Sequence, residues 1–328
     1  MLVDSWGRRV NYLRIAVTDR CNLRCFYCMP ENGIQYLPKK ELLSYEEILR
    51  LVQIVSELGV NKIRITGGEP FVRRDLLSLL GKINDVQGID SIHLTTNGVL
   101  THQYIDDLQG VGIKSVNLSI DSLDKENFIR ITRRDELDNV LTTYRALLDK
   151  GISTKINMVV MSEHNIGDII PMVELGSSDN VEVRFIEEMP FNGEESHTVR
   201  LDWDHDKILA KIQETYPDIS ILKADKNSTS KRYQIKGFNG SFGIIPAYSR
   251  TFCDTCNRLR VTSQGTIKTC LYDDGVLDLK HHLRQGASDD HIKELLQAVV
   301  GKRFKNGFEA EKNRKVTAIN ESMSSIGG

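Results

Sequence analysis

Thr18-Asp19-Arg20-Cys21-Asn22-Leu23-Arg24-Cys25-Phe26-Tyr27-Cys28-Met29-Pro30 packs three thiols, spaced C-x3-C-x2-C, into eight residues. The stretch before it, 12–17, reads as a strand. Soft thiolates at such close spacing select iron–sulfur clusters or zinc. A structural zinc site wants four ligands, and no fourth cysteine or histidine stands nearby. Three thiolates on a cubane cluster leave one iron open to bind something else. The loop is therefore a candidate catalytic centre at the carboxyl end of a strand, where parallel barrels build their sites.

Working outward, the first 190 residues repeat a short strand, a loop and an amphipathic helix. Strands are expected at 12–17, 62–66, 91–96, 114–120, 154–160 and 181–186. Helical spacing appears in Ile48, Leu51, Val52 and Val55, and again in Ile166, Ile169, Ile170 and Val173. Alternation of this kind predicts parallel pairing with right-handed crossovers. Six units predict an α/β fold built on a partial (β/α)6 barrel rather than a closed one of eight. Beyond about residue 220 the pattern changes. Residues 233–245 alternate and contain Gly237, Gly240 and Gly243, while 259–263 and 266–271 flank Gln264-Gly265 as a hairpin. Helical stretches follow near 276–284 and 289–300. The expected division is a barrel over 1–220 and a smaller mixed α+β domain over 221–328.

The strands carry a second message. Strands buried on both faces usually read as continuous apolar runs. These alternate instead. One parity is apolar, as in Leu13/Ile15/Val17 and Val116/Leu118/Ile120. The other holds Arg14, Arg64, His93/Thr95, Asn117/Ser119, Lys155/Asn157 and Glu182/Arg184. Outer helices need the apolar face, so the polar parity is expected to line the lumen. Arg14, Arg64, Lys155 and Arg184 are costly to bury without an anionic partner. The lumen looks built for a polyanion.

Composition is that of an ordinary soluble protein, with 40% hydrophobic residues, 27% charged residues and a formal net charge of -2. Such a balance argues against a dedicated nucleic-acid binder. No apolar run is long enough to span a bilayer, and residues 1–17 have neither h-region nor cleavage site. The expectation is a cytoplasmic protein, where six cysteines are more often metal ligands than disulfides. No partner membrane or nucleic acid is expected, and a homodimer is compatible with the sequence.

Cys253-Asp254-Thr255-Cys256, followed by Cys270 across the hairpin, is a second metal signal. Spacing alone leaves a cluster and a zinc site with His281 or His282 as fourth ligand equally open.

The first cysteine loop, with aromatic Tyr27 before its last cysteine, resembles the signature of the radical S-adenosylmethionine family. So does Thr66-Gly67-Gly68-Glu69-Pro70 after the second strand. With Leu94-Thr95-Thr96-Asn97-Gly98, Arg184-Phe185-Ile186-Glu187-Glu188-Met189-Pro190, the run from Phe252 to Leu271 and the Gly327-Gly328 end, the whole chain is similar to the GTP 3′,8-cyclase family of molybdenum cofactor biosynthesis. Small departures are Thr269, where proline is common, and residues 190–200.

The resemblance implies two 4Fe-4S clusters and S-adenosylmethionine. Cys21, Cys25 and Cys28 would hold the first cluster; Cys253, Cys256 and Cys270 would hold the second, whose open iron meets the purine of GTP. It assigns Tyr27, Gly68, Ser119 and Met189 to S-adenosylmethionine. Arg14, Arg64, Thr95, Lys155, Arg258, Leu259 and Arg260 go to GTP, with Gly327 and Gly328 supporting the radical step. The implied reaction takes hydrogen from C3′ of GTP and joins C3′ to C8, giving (8S)-3′,8-cyclo-7,8-dihydroguanosine 5′-triphosphate. An electron donor and a downstream cyclic pyranopterin monophosphate synthase are the implied partners. Alternatives are a radical enzyme acting on RNA or peptide, and a non-catalytic iron–sulfur or zinc protein.

Overall fold

The computed structural model describes residues 1–193, 199, 201–223, 227–315 and 321–327. Six parallel strands form in order: β1 (Tyr12–Ala16), β2 (Lys62–Thr66), β3 (Ser91–Thr96), β4 (Ile113–Ser119), β5 (Ser153–Val160) and β6 (Glu182–Glu187). Six helices fill the crossovers: α1 (Tyr45–Glu57), α2 (Leu76–Asn84), α3 (Ile105–Gly110), α4 (Lys125–Thr132), α5 (Leu137–Asp149) and α6 (Ile169–Ser178). Each forms for a local reason. Helix α1, for example, starts at a reciprocal capping box, with Glu47 N–H donating to Ser44 Oγ and Ser44 N–H to the Glu47 carboxylate. It then buries Ile48, Leu51, Val52 and Val55 on one stripe. Among the described residues no helix is long and apolar enough to cross a membrane.

The rest of the chain extends the same sheet. It supplies α7 (His205–Thr215), then β7 (Ile219–Leu222), β8 (Lys231–Ile235), β9 (Ser241–Ile245), β10 (Arg258–Val261), β11 (Thr266–Lys268) and β12 (Leu277–Asp278). Helices α8 (Leu279–Arg284), α9 (Asp289–Gly301), α10 (Gly307–Lys312) and α11 (Met323–Ile326) follow. The sheet has twelve strands in the order β12-β11-β10-β1-β2-β3-β4-β5-β6-β9-β8-β7. Strands β10 and β9 pair in parallel with β1 and β6, so the parallel arc is widened on both edges by strands from late in the chain. The outermost strands are antiparallel. The arc remains open, a partial barrel. The alternating run 233–245 folds as a hairpin, with β8 and β9 antiparallel across a turn.

Strand parity sorts as expected on the apolar side: Leu13, Ile15, Ile63, Ile65, Leu94, Val116, Leu118, Ile156, Met158, Val183 and Phe185 lie in one core with the helices. Register then aligns the polar residues across strands. Arg14 faces Arg260 on one side and Arg64 on the other, and Asn157 faces Arg184.

Candidate functional site

The three thiols of the first loop and the second strand's Gly67-Gly68 turn are knitted together by the backbone. Gly68 N–H donates to Thr18 O and Glu69 N–H to Arg20 O, both at 2.8 Å. A Cβ at Gly68 would stand 2.3 Å from Arg20 O, so only glycine lets the two loops touch. Glu69 is wholly buried and accepts from Thr96 Oγ1 and from the Asn97 and Phe71 N–H groups. Burial pushes its carboxyl up to about 7 despite these bonds. Asn97 in turn donates to Asn22 Oδ1 at 2.8 Å and approaches Cys21 Sγ at 3.6 Å.

Cys21, Cys25 and Cys28 line a cavity with Tyr27, Gly67, Gly68, Thr95, Asn97, Ser119, Asp121 and Met189. Burial pushes the Cys21 thiol up to about 11, Cys28 to about 12 and Cys25 well above its ordinary value. Thiolates here would be unstable without a cation to neutralise them, which is what a metal cluster supplies. Tyr27 donates to Asp121 Oδ2 at 2.7 Å, and burial raises the Asp121 carboxyl to about 6. The first site is thus a soft-donor set beside acidic groups, and it fits a cluster carrying a cationic cofactor.

A second cavity is lined by Cys253, Cys256, Cys270, Arg14, Arg184, Arg250, Arg258, Arg260, Tyr272 and Arg303. It meets the first along Asn157, Ile186, Met189 and Met323, which line both. Arginines crowd this space. Burial above all, with repulsion from Arg260, pulls Arg14 down to about 9; burial and Arg258 pull Arg260 to about 10. Burial likewise brings Arg184 to about 10. Arg184 Nε and Nη2, together with Asn117 Oδ1 and Asn157 Oδ1, are buried without a hydrogen-bond partner among the described residues. The orphaned Arg184 donors and the weakened cations suit an anion, while the two amide oxygens, being acceptors, suit a donor group of the same ligand.

Burial works to raise the Cys256 thiol as well, but the Arg258 and Arg303 guanidiniums pull it down to about 6. Cys270 is pushed up by burial to about 11. His281 and His282 pack their rings edge to face, His282 against His291, and neither lines the cavity. The zinc alternative for the second set therefore has no histidine at hand. Among the described residues no three His, Cys, Asp or Glu side chains converge as a single ion would need.

Not every expected residue reaches the cavities. Leu259 is 1% exposed within the apolar core, because strand alternation turns it away from Arg258 and Arg260. Its side chain cannot contact a nucleotide there. Arg64 is buried and committed, donating to Tyr12 Oη, Leu94 O and Thr95 Oγ1. Lys155 pairs with Glu182 at 2.8 Å and lines a separate surface depression, because it lies nearer its strand's start than Asn157 does. Thr95 lines the first cavity rather than the second. The expectation that all inward cations meet in one lumen is corrected to that extent.

Gly327 adopts φ +80°, its carbonyl accepts from Arg260 Nη1 at 2.7 Å, and a Cβ there would meet Thr66 Cγ2 at 2.8 Å. The tail thus lies against β1 and β2; Gly328 lies outside the described residues. Sequence reasoning misses Asp121, Asn97, Arg250, Arg303 and Met323. Asp121 lies two residues past the end of β4 and could have been found by position, but Arg303 sits in no motif.

A model of the Radical SAM superfamily matches residues 15–176, and one described as Molybdenum Cofactor Synthesis C matches residues 181–308. The chain is 42% identical over 333 residues to the GTP 3′,8-cyclase of Syntrophomonas wolfei, covering 97% of this chain and 99% of that protein. Against the GTP 3′,8-cyclase of Geobacter sulfurreducens identity is 41%, covering 100% of this chain and 99% of that one. Molybdenum cofactor biosynthesis protein 1 of Drosophila melanogaster is 40% identical over 94% of this chain. The chain spans about half the length of that protein and of its Caenorhabditis elegans and Bos taurus counterparts. Among solved structures, Streptococcus suis SuiB bound to S-adenosylmethionine shares the fold, with a TM-score of 0.61 at 16% identity over 92% of this chain and 68% of that one. Radical SAM membership implies one 4Fe-4S cluster and S-adenosylmethionine. With near-complete coverage of two bacterial relatives, the chain belongs to the GTP 3′,8-cyclase family of the radical SAM superfamily.

Proposed function

We propose that this chain converts GTP to (8S)-3′,8-cyclo-7,8-dihydroguanosine 5′-triphosphate, the first step of molybdenum cofactor synthesis. The observation that carries the reading is the shared wall: a thiol-lined cavity beside Asp121 and a thiol-lined cavity crowded with arginines have Asn157, Ile186, Met189 and Met323 in common. A sulfonium cofactor suits the first and a nucleotide triphosphate the second.

Cys21, Cys25 and Cys28 would hold the first cluster, with Tyr27, Gly68, Ser119 and Met189 around S-adenosylmethionine. Cys253, Cys256 and Cys270 would hold a second 4Fe-4S cluster. Arg14, Arg258, Arg260 and Arg184 would bind the triphosphate through charge-assisted hydrogen bonds. No Walker-type loop competes for that role. A cluster held by Cys21, Cys25 and Cys28 beside bound S-adenosylmethionine would supply a 5′-deoxyadenosyl radical. The chain's own work is to orient C3′ of GTP toward the shared wall and keep water out, with Ile186, Met189 and Met323 as the apolar part of that wall. Gly327 would hold Arg260 through its carbonyl. An electron donor and a downstream cyclic pyranopterin monophosphate synthase complete the proposal, as does a division into a barrel over 1–220 and a smaller domain over 221–328.

The test is to supply GTP deuterated at C3′ to the anaerobically reconstituted chain with S-adenosylmethionine and reductant. Deuterium should appear in 5′-deoxyadenosine together with the cyclised nucleotide. Unlabelled 5′-deoxyadenosine with intact GTP would contradict the reading.

A further inference from the structure

Residues 303–307, which run from the end of α9 to the first residue of α10, belong to none of the sequence motifs. Yet they bring hydrogen-bond donors to two of the three sulfurs of the second cysteine set. The Arg303 guanidinium donates to Cys256 Sγ at 2.9 Å and to the Cys256 carbonyl at 2.8 Å. Gly307 N–H donates to Cys253 Sγ at 3.4 Å.

The segment is gripped from its other side by the start of the chain. Trp6 Nε1 donates to Arg303 O at 3.0 Å, Arg8 Nη2 to Phe304 O at 2.6 Å and Arg8 Nη1 to Lys305 O at 2.5 Å. Three consecutive carbonyls are thus held by two side chains. Arg8 also reaches the Cys253 carbonyl at 3.0 Å. Asp4, whose side chain is 0% exposed, aims Arg8 through a 2.6 Å ion pair and lies 3.9 Å from Arg303 Nη1. Hydrogen bonds of this outer layer end on the Cys256 and Cys253 sulfurs, 47 and 54 residues away in sequence, and on the Cys253 carbonyl, 245 residues from Arg8.

We propose that Arg303 is a positioning residue that raises the electron affinity of the group held by Cys253, Cys256 and Cys270, and that Asp4, Trp6 and Arg8 hold it in place. The inference rests on the reading of that set as a cluster site. Hydrogen bonds and positive charge at a ligand sulfur stabilise the reduced, more negative state, so they raise the reduction potential. Arg303's side chain is only 4% exposed, so solvent screens it little.

The experiment is a redox titration of the anaerobically reconstituted full chain, following the second cluster by electron paramagnetic resonance in parent, Arg303→Gln, Arg303→Lys and Arg8→Gln. Arg303→Gln should titrate at a more negative midpoint than the parent with its signal intact. Arg303→Lys should recover part of the shift, and Arg8→Gln should shift the same way by less. A parent with one cluster only would overturn the cluster reading and this inference with it. A parent with both signals and an Arg303→Gln midpoint equal to the parent's would overturn the inference alone. Should Arg303→Gln lose the cluster altogether, unshifted midpoints in Arg303→Lys and Arg8→Gln would overturn it equally.

Discussion

The two cysteine sets use the same donor chemistry in opposite electrostatic settings. Around Cys21, Cys25 and Cys28 burial above all pushes the three thiols upward, with the Glu69 and Asp121 carboxyls adding to it and Arg24 working against it at Cys21. Around Cys253, Cys256 and Cys270 stand Arg250, Arg258, Arg260 and Arg303; burial still pushes Cys253 and Cys270 up, but Arg258 and Arg303 draw Cys256 down against its own burial. The difference teaches that the same thiol donors can sit among charges that select different neighbours for whatever group they hold. An acidic site suits a cationic cofactor. A site crowded with buried guanidiniums suits a polyanion.

The largest effect should come from breaking the first side of that comparison. Cys21→Ala, Cys25→Ala or Cys28→Ala should each abolish 5′-deoxyadenosine formation, measured by chromatography, while the second set's iron remains. Turnover in all three variants would mean the sites were assigned backwards. Next comes the tail. Deleting Gly327 and Gly328 removes the carbonyl that Arg260 holds at 2.7 Å. Cyclisation should fall sharply, with iron content and GTP affinity nearly unchanged; a parent-like rate would reduce the tail to a loose end.

The second side is sharpened by comparing cations. A charge-assisted contact to phosphate contributes on the order of 1.5–3 kcal/mol, so Arg260→Ala or Arg14→Ala should weaken GTP binding roughly ten- to hundredfold. Lys155→Ala should cost less, because Glu182 already takes its charge at 2.8 Å. Calorimetry giving Lys155 the larger loss would reverse the ranking. The smallest effect is on acid stability. Burial works to raise the Glu182 carboxyl, but Arg184 and Lys155 outweigh it, so its folded-state value lies below 4.5. Its ion pairs therefore contribute stability that is present above about pH 4.5 and lost as pH falls through the lowered value. Glu182→Gln should unfold with a flatter pH dependence in that range than the parent.

Much of this was legible beforehand. Strands β2 and β3 fall where alternation put them, since one parity had to meet helices. The spacing of the cysteine loop narrowed its chemistry to a cluster or zinc, and the lack of a fourth ligand nearby favoured the cluster. What alternation could not say was depth along a strand. Lys155 and Asn157 share a parity, yet only Asn157 lines the cavities while Lys155 meets Glu182. Nor could it say which inward cation was already committed, as Arg64 is to Tyr12. The parallel pairing of β10 with β1 and β9 with β6 was equally hidden, because edge pairing joins segments with no sequence proximity. Arg303 escaped for the same reason: its partners, Asp4, Trp6 and Cys256, come from distant parts of the chain.

The most direct test of the contrast uses two triple variants, Cys21→Ala/Cys25→Ala/Cys28→Ala and Cys253→Ala/Cys256→Ala/Cys270→Ala, each anaerobically reconstituted and reduced. Electron paramagnetic resonance is recorded with S-adenosylmethionine or GTP added. S-adenosylmethionine should perturb only the signal kept by the variant that retains Cys21, Cys25 and Cys28. GTP should perturb only the signal kept by the variant that retains Cys253, Cys256 and Cys270. A GTP response at the first set, or zinc in place of iron at the second, would contradict the account.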